Sequence, residues 1–256
     1  MQQAIASSYG LVEQATNQGL NFKKFLNESL FPPSKDKIKA VCLKPIEDKT
    51  LEDVLLALRA LDQFSSFSEY RNGLDDQEFI IIGLCLRYKA FDSYEAVCRI
   101  GEAPTEIFYV LDGVIGVTNL TNRFFSEEIL DGKVFHTESS GATLGEASIL
   151  YNSNRTATLV TVQPTELLLV NKEPFMRTIG DMMRKAHLSR IEMLQRISIL
   201  EQWSLAQLAS LYKHFIKKDY TFNSIVYEQG QTDENIYVVL KGEVEVVTLL
   251  TLAFDQ

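Results

Sequence analysis

Hydrophobic residues recur at helical spacing in two segments of the first third of the chain. Each segment follows a capping-box pair, Thr50 with Asp53 and Asp75 with Glu78. In such a pair the side chain of the first residue and that of the third helical residue satisfy the exposed N–H groups at a helix start. The pattern therefore predicts one helix from about residue 50 to 61 and another from about 75 to 86.

Residues 1–49 have a different character. They are mixed and polar, contain Pro32, Pro33 and Pro45, and show no sustained period. Proline interrupts regular structure because it lacks an N–H donor and fixes its own backbone. We therefore predict a polar N-terminal arm over residues 1–49, with at most one short helix near residues 19–30.

From Lys89 onward the hydrophobic pattern changes to one that is typical of short strands. Apolar stretches alternate with turn residues, over residues 96–99, 107–111, 114–118, 133–137, 156–162 and 166–170. Many short strands separated by Gly and Pro are typical of a β-sandwich or small barrel. A long helix is predicted next, opened by Asn171 and Pro174, with an apolar stripe from Phe175 to Ala186. The expected fold class is α+β, a barrel or jelly roll with flanking helices.

The pattern then repeats along the chain. Gly101 and Gly113 recur as Gly230 and Gly242, in each case 129 residues later, and the same shift maps apolar strand positions onto one another. A shift that preserves turn glycines and strand residues together indicates two copies of one unit. We predict a complete domain over residues 50–200 and the N-terminal half of a second copy over residues 201–256. That half ends before the counterpart of residues 141–170, so we expect it to bind no nucleotide.

Composition excludes several function classes. The net charge of −9 and the pI near 5.0 disfavour a nucleic-acid partner, which needs a basic surface. The three histidines are far apart and form no metal-binding or catalytic motif, so we expect no cofactor and no enzyme activity. The three cysteines are expected to be buried, reduced thiols. The sequence shows neither a secretory signal nor a membrane span, which predicts a cytoplasmic protein.

One loop carries the features of a binding site. Gly145 precedes a short predicted helix, and a polar bend then leads to Arg155 at the start of a strand. The glycine lets a ligand approach the backbone, and the N–H groups of Ala147 and Ser148 suit an anion. Arg155 adds a planar cation that suits phosphate oxygens, and Glu146 suits a neutral donor such as a sugar hydroxyl. The combination describes a sugar–phosphate ring.

This loop resembles the phosphate-binding cassette of the cyclic-nucleotide-binding domain family, in which an arginine follows a Gly-Glu pair by nine residues. The resemblance extends to the Phe-Tyr-Val-Leu-Asp-Gly stretch at residues 108–113 and to the helix from Pro174. It implies that Glu146 binds the ribose 2′-hydroxyl and that Arg155 binds the cyclic phosphate. The predicted ligand-binding residues are Gly145, Glu146, Ala147, Ser148, Arg155, Thr156 and Ala157.

Thr156 stands where the family's cGMP-dependent kinases have threonine and its cAMP-selective members usually have alanine. The resemblance therefore implies a modest preference for cGMP, although an ordinary strand threonine is also compatible with the position. Two features depart from the family pattern: Ala147 replaces a larger aliphatic residue, and the stretch from Asn119 to Gly132 is longer than in compact members. Arg155 is expected to serve the ligand rather than the core.

Two functions follow from the resemblance. The first is a regulatory module that senses cGMP or cAMP and relays occupancy through its C-terminal helix to a protein partner such as a kinase-like effector. The second is a structural component of a cytoskeletal or ciliary assembly that keeps the fold with a degenerate pocket, in which Arg155 and Glu146 pair with each other. Trp203 is either a cap over the nucleotide base or a buried residue at a helix junction.

Overall fold

The computed structural model describes residues 1–28, 31–212, 215–216, 218–232 and 235–248. It contains two compact units, Met1–Lys213 and His214–Gln256. The sequence predicted a boundary after residue 200. The helix Leu205–Tyr212 instead belongs to the first unit.

The N-terminal region is helical, which corrects the prediction of a polar arm over residues 1–49. It forms α1 (Gln2–Asn17), α2 (Phe22–Glu28) and α3 (Lys35–Cys42). Phe22 is buried and stacks on Phe79 with ring centroids 5.4 Å apart. Each helix contributes only two or three buried residues, and Pro32 and Pro33 lie between α2 and α3. In each helix the run of apolar residues at helical spacing is therefore too short to be recognised in the sequence.

The two capped helices are confirmed. They are α4 (Leu51–Leu61) and α6 (Asp76–Cys85), with a short α5 (Ser65–Ser68) between them, and both have a complete capping box. In α4 the box receives a further contact, because Lys44 Nζ donates to both carboxylate oxygens of Asp53 at 2.7 and 2.9 Å. Every residue of α6 from Phe79 to Cys85 is buried, so this helix lies at the centre of the helical layer.

Two four-stranded antiparallel sheets follow, which confirms the predicted β-sandwich and the α+β class. The first has the order β1-β8-β3-β6 and the second has the order β2-β7-β4-β5. The strands are β1 (Arg87–Phe91), β2 (Ala96–Cys98), β3 (Glu106–Asp112), β4 (Val114–Thr118), β5 (His136–Ser139), β6 (Thr143–Leu144), β7 (Thr158–Thr161) and β8 (Thr165–Asn171). A short helix, α7 (Glu127–Leu130), lies in the connection between β4 and β5. A second, α8 (Glu146–Leu150), lies between β6 and β7.

The helix after the barrel begins as predicted but is not uniform. It consists of α9 (Lys172–Phe175), a π-helical turn (Met176–Gly180) and α10 (Asp181–Gln195). The hydroxyl of Thr178 donates back to the carbonyl of Pro174 at 2.9 Å. α11 (Leu205–Tyr212) follows. Ser204 and Gln207 exchange cap contacts at 3.0 and 3.3 Å, as Asp75 and Glu78 do 129 residues earlier.

The second unit keeps local features of the repeat. Gly230 and Gly242 have φ values of +85° and +102°, against +85° for Gly101 and +103° for Gly113. The described residues of this unit include no strand, and several of their apolar side chains are exposed. An incomplete second copy of the domain therefore remains a prediction, which the shared turn conformations support.

Candidate functional site

The predicted cassette begins at a turn that requires glycine. Gly145 connects β6 to α8 with φ +82° and ψ 1°, a left-handed conformation that other residues adopt at a cost. A β-carbon at this position would collide with the guanidinium of Arg155 and lie 3.3 Å from the ring of Phe108. The glycine therefore allows both the turn and the close approach of Arg155.

The Arg155 side chain lies beneath this turn and is 5% exposed. Its Nη1 donates to the carbonyl of Gly145 at 2.7 Å, and its Nη2 donates to the carbonyl of Glu106. The guanidinium carbon is 5.1 Å from the centroid of the Phe108 ring, a cation–π contact. These contacts correct the expectation that Arg155 serves only the ligand, because the side chain also fastens the cassette to β3.

The backbone of Arg155 is held as firmly as its side chain. Its N–H donates to the carbonyl of Glu102 at 2.8 Å, and its carbonyl accepts from the N–H of Gly101 at the same distance. Gly101, which belonged to the repeat pattern, thus lies directly beside the cassette. The turn between β2 and β3 fixes the position at which Arg155 enters the site.

Glu146 is the first residue of α8 and is 6% exposed. The hydroxyls of Tyr109 and Tyr151 lie near its carboxylate. Burial raises the pKa of both tyrosines above the usual range, and the negative charge of Glu146 raises it further. Both phenols therefore stay protonated and can donate hydrogen bonds. The carboxylate is therefore buried, with two tyrosine hydroxyls in its surroundings.

The remaining predicted residues lie in the same loop. Ser148 is buried, and its carbonyl accepts from the N–H of Ser153 at 3.0 Å, which closes the bend after α8. Ala147 and Ala157 are half-buried, whereas Thr156 is exposed. The structure therefore brings all seven predicted residues into one loop, with Glu146 and Arg155 on its buried side.

Several residues at the site were not predicted from the sequence. Glu106 and Phe108 hold the Arg155 guanidinium, and Tyr109 and Tyr151 lie near Glu146. A partial signal existed, because Phe108 and Tyr109 belong to the motif stretch that precedes the cassette. Trp203 is 41% exposed, so the expectation of a buried tryptophan at a helix junction is wrong.

Neither the cysteines nor the acidic residues form a second binding site within the described part of the chain. Cys42, Cys85 and Cys98 are buried and form no disulfide, as predicted, and burial raises the pKa of Cys42 and Cys98 to about 11. Within the described residues no group of three histidines, cysteines or carboxylates could hold a metal ion. No helix in the described ranges is long and apolar enough to cross a membrane.

Comparison with known proteins agrees with this geometry. The family model for the cyclic nucleotide-binding domain matches residues 88–181, which include both sheets and the cassette. A cAMP-dependent protein kinase regulatory subunit of Blastocladiella emersonii is 25% identical over 70% of this chain and 43% of its own length. One of Dictyostelium discoideum is 24% identical over 81% of this chain and 60% of its own length.

A cGMP-dependent protein kinase of Caenorhabditis elegans is 21% identical over 70% of this chain and 22% of its own length. The chain therefore spans less than two thirds of each of these relatives. The family match coincides with the barrel whose loop holds Glu146 and Arg155. Residues 88–181 thus form a domain of the cyclic nucleotide-binding family.

Proposed function

We propose that the chain is a regulatory module that binds a cyclic nucleotide, cGMP or cAMP, at residues 145–157. One observation carries the proposal: the fold buries Glu146 and Arg155, nine residues apart in sequence, beside the Gly145 turn. Burial of a carboxylate and a guanidinium is costly, and it is common where charged groups serve a ligand.

Each group has a distinct task in this proposal. Glu146 accepts a hydrogen bond from the ribose 2′-hydroxyl, and Arg155 donates to the cyclic phosphate together with the backbone N–H groups of Ala147 and Ser148. A guanidinium carries five N–H groups, so the two bonds to carbonyls do not exhaust its donors. The planar fork also places its remaining N–H groups in directions suited to phosphate oxygens.

Occupancy is relayed through the helix after the barrel. α8, which carries Glu146, contacts the π-helical turn, α10 and α11. A ligand that moves α8 therefore changes the packing of the helix behind it, and shifts the population between two positions of that helix. Several relatives are named as kinase regulatory subunits, which supports a kinase-like protein partner and a role without catalysis.

Isothermal titration calorimetry of the chain with cAMP and cGMP tests the binding step, with 5′-AMP as the acyclic control. We expect one saturable site for the cyclic nucleotides and weaker binding of 5′-AMP. Hydrogen exchange tests the relay. Exchange in α10 is expected to change with the nucleotide, whereas exchange in α4 serves as the internal reference.

One observation favours the alternative, a structural component with a degenerate pocket. Arg155 already has protein partners in Gly145, Glu106 and Phe108, so it contributes to the fold without a ligand. In that case calorimetry detects no heat of binding with either nucleotide. The melting temperature also stays constant when nucleotide is added, since only a ligand that binds the folded state raises it.

A further inference from the structure

The first unit contains a cavity of about 230 Å³ that is separate from the cassette. Its lining comes from the chain that precedes α4, the end of α6, the start of β1 and the start of α9. None of residues 145–157, all of which the structure describes, lines it. The cavity therefore has no part in the nucleotide site described above.

The buried part of the lining is apolar except for one cation. Leu84, Cys85 and Pro174 are buried, and Lys49 is 6% exposed. Nζ of Lys49 donates to the carbonyl of Leu84 at 2.8 Å and to that of Leu86 at 2.7 Å. These carbonyls lie at the end of α6, so the lysine caps this helix.

The ammonium group of Lys49 can accommodate a further partner. It has three N–H donors, and within the described residues only the two carbonyls accept from it. Burial lowers the pKa of Lys49, because the charged form lacks water around it, and the charge of Asp53 opposes this shift to a smaller extent. An anion in the cavity would compensate the buried charge more fully than neutral carbonyls do.

The other two basic residues of the lining already have acidic partners. Nζ of Lys44 donates to both carboxylate oxygens of Asp53. Nη2 of Arg87 donates to the carboxylate of Glu106 at 2.6 Å. Both side chains are also exposed. Among the basic residues of the described lining, Lys49 alone is buried and lacks an ion pair with a carboxylate.

These features select the charge and the size of a ligand. The acidic residue of the lining, Glu173, is exposed, so its charge is hydrated. One buried cation complements one negative charge, and a dianion would bring a second charge without a buried partner. The volume is about that of seven or eight water molecules in the liquid. A carboxylate on a body of about six carbon atoms therefore fits the cavity, and a long acyl chain does not.

We propose that this cavity is a second ligand site of the chain, and that it binds a small organic monocarboxylate. The carboxylate accepts from Nζ of Lys49, and the apolar body packs against Ile46, Leu84 and Pro174. Because Pro174 belongs to α9, the bound acid contacts the first turn of the helix that follows the barrel. The site does not depend on the proposed binding of a cyclic nucleotide.

Titrations of the full chain observed by ligand NMR test the proposal. The probes are hexanoate and benzoate, with hexanamide and benzamide as neutral controls of similar shape. We expect saturable binding of each acid and binding of each amide that is weaker by about 10- to 150-fold, the range for a hydrogen bond to a charged group. Lys49→Met keeps the length of the side chain without its charge and should lose acid affinity by the same factor. Lys89→Met is the matched control, since Lys89 is an exposed lysine on β1 outside the cavity.

A second variant keeps the lysine, because Lys49→Met also removes the cap of α6. Ile46 is half-buried in the cavity wall, so Ile46→Trp should fill the cavity and abolish acid binding while circular dichroism shows an intact fold. Absence of saturable acid binding to the wild type would overturn the proposal. Equal affinity for acids and amides, or acid binding that survives Ile46→Trp, would also overturn it. Calorimetry with cyclic nucleotides is a separate measurement, so failure of the proposed function and failure of this inference are distinguishable.

Discussion

The guanidinium of Arg155 donates a 2.7 Å hydrogen bond to the carbonyl of Gly145, and the same guanidinium fills the space that a side chain at Gly145 would need. The glycine and the arginine therefore depend on each other. The left-handed turn costs least without a β-carbon, and the arginine reaches the carbonyl through the space that the missing β-carbon leaves.

Gly145→Ala is expected to lower cyclic-nucleotide affinity by more than about 10-fold, or 1.4 kcal/mol, because the new methyl group displaces Arg155. The left-handed backbone adds a folding cost of about 1–2 kcal/mol. Gly141→Ala is the matched control, since Gly141 also has a positive φ, +95°, but has no atom within 4 Å of an added β-carbon. The control should lose stability and keep its affinity. Equal affinity in the two variants would contradict the steric argument.

Arg155→Ala should affect binding and folding together. Removing one partner of a buried charged contact costs about 2–5 kcal/mol of binding free energy. Loss of the bonds to Gly145 and Glu106 should also lower the free energy of unfolding, by about 1.5–3 kcal/mol for each charge-assisted bond. Calorimetry and urea unfolding measure the two effects. Unchanged stability would show that the contacts of Arg155 with the carbonyls contribute nothing to the fold.

Arg155→Lys separates charge from geometry. A lysine keeps the positive charge but cannot hold two carbonyls and a phosphate with a planar fork. We expect its affinity and its free energy of unfolding to lie between those of the wild type and Arg155→Ala. Wild-type affinity in the lysine variant would mean that a point charge is sufficient for the phosphate.

Thr156→Ala tests the preference for cGMP. The exposed hydroxyl of Thr156 can accept from the 2-amino group of guanine, which adenine lacks. One such bond contributes about 0.5–1.5 kcal/mol, so cGMP affinity should fall by about 2- to 13-fold while cAMP affinity stays constant. Competition binding with both nucleotides measures the ratio. A wild type that already prefers cAMP would argue against a selecting role for Thr156.

Asp53 should contribute to the acid sensitivity of the fold. Burial raises the pKa of its carboxyl, but hydrogen bonds from Lys44 and Thr50 outweigh burial, and the pKa lies below its usual value. Because the pKa of Asp53 is lower in the folded than in the unfolded state, its carboxylate stabilises the fold at pH values above about 3.9, the pKa of an unfolded aspartate. This stabilisation is lost as the pH falls from that value through the folded-state pKa. Urea unfolding between pH 3 and 7 should therefore show that the free energy of unfolding falls less on acidification in Asp53→Asn than in the wild type. Parallel pH profiles would contradict this assignment.

The sequence predicted those parts of the fold that depend on short-range patterns. The capping boxes of α4 and α6 involve residues three positions apart, and the Glu146–Arg155 spacing lies within one loop. The contacts of Arg155 with Glu106 and Phe108 connect residues almost fifty positions apart. No local pattern encodes such contacts, because they depend on how β3 packs against the cassette.

Two other differences between the predictions and the structure also arise from contacts between residues that are far apart in sequence. α1, α2 and α3 each bury only a few side chains, and their burial becomes evident only when α4 and α6 are in place. The strand predicted at residues 133–137 begins instead at His136. In the connection between β4 and β5 the carbonyl of Lys133 accepts from the hydroxyl of Thr118, so the predicted strand begins with a bond to a side chain instead of a bond of the ladder.

The turn Met176–Gly180 has a mechanical consequence for the helix that follows it. A π turn contains about one residue more than an α turn, and each residue of an α-helix adds about 100° of rotation and 1.5 Å of rise. Conversion of this turn to α-helical hydrogen bonding would rotate α10 about its own axis by roughly a quarter of a revolution. A different side of the helix would then face the barrel, at the cost of no more than a few hydrogen bonds.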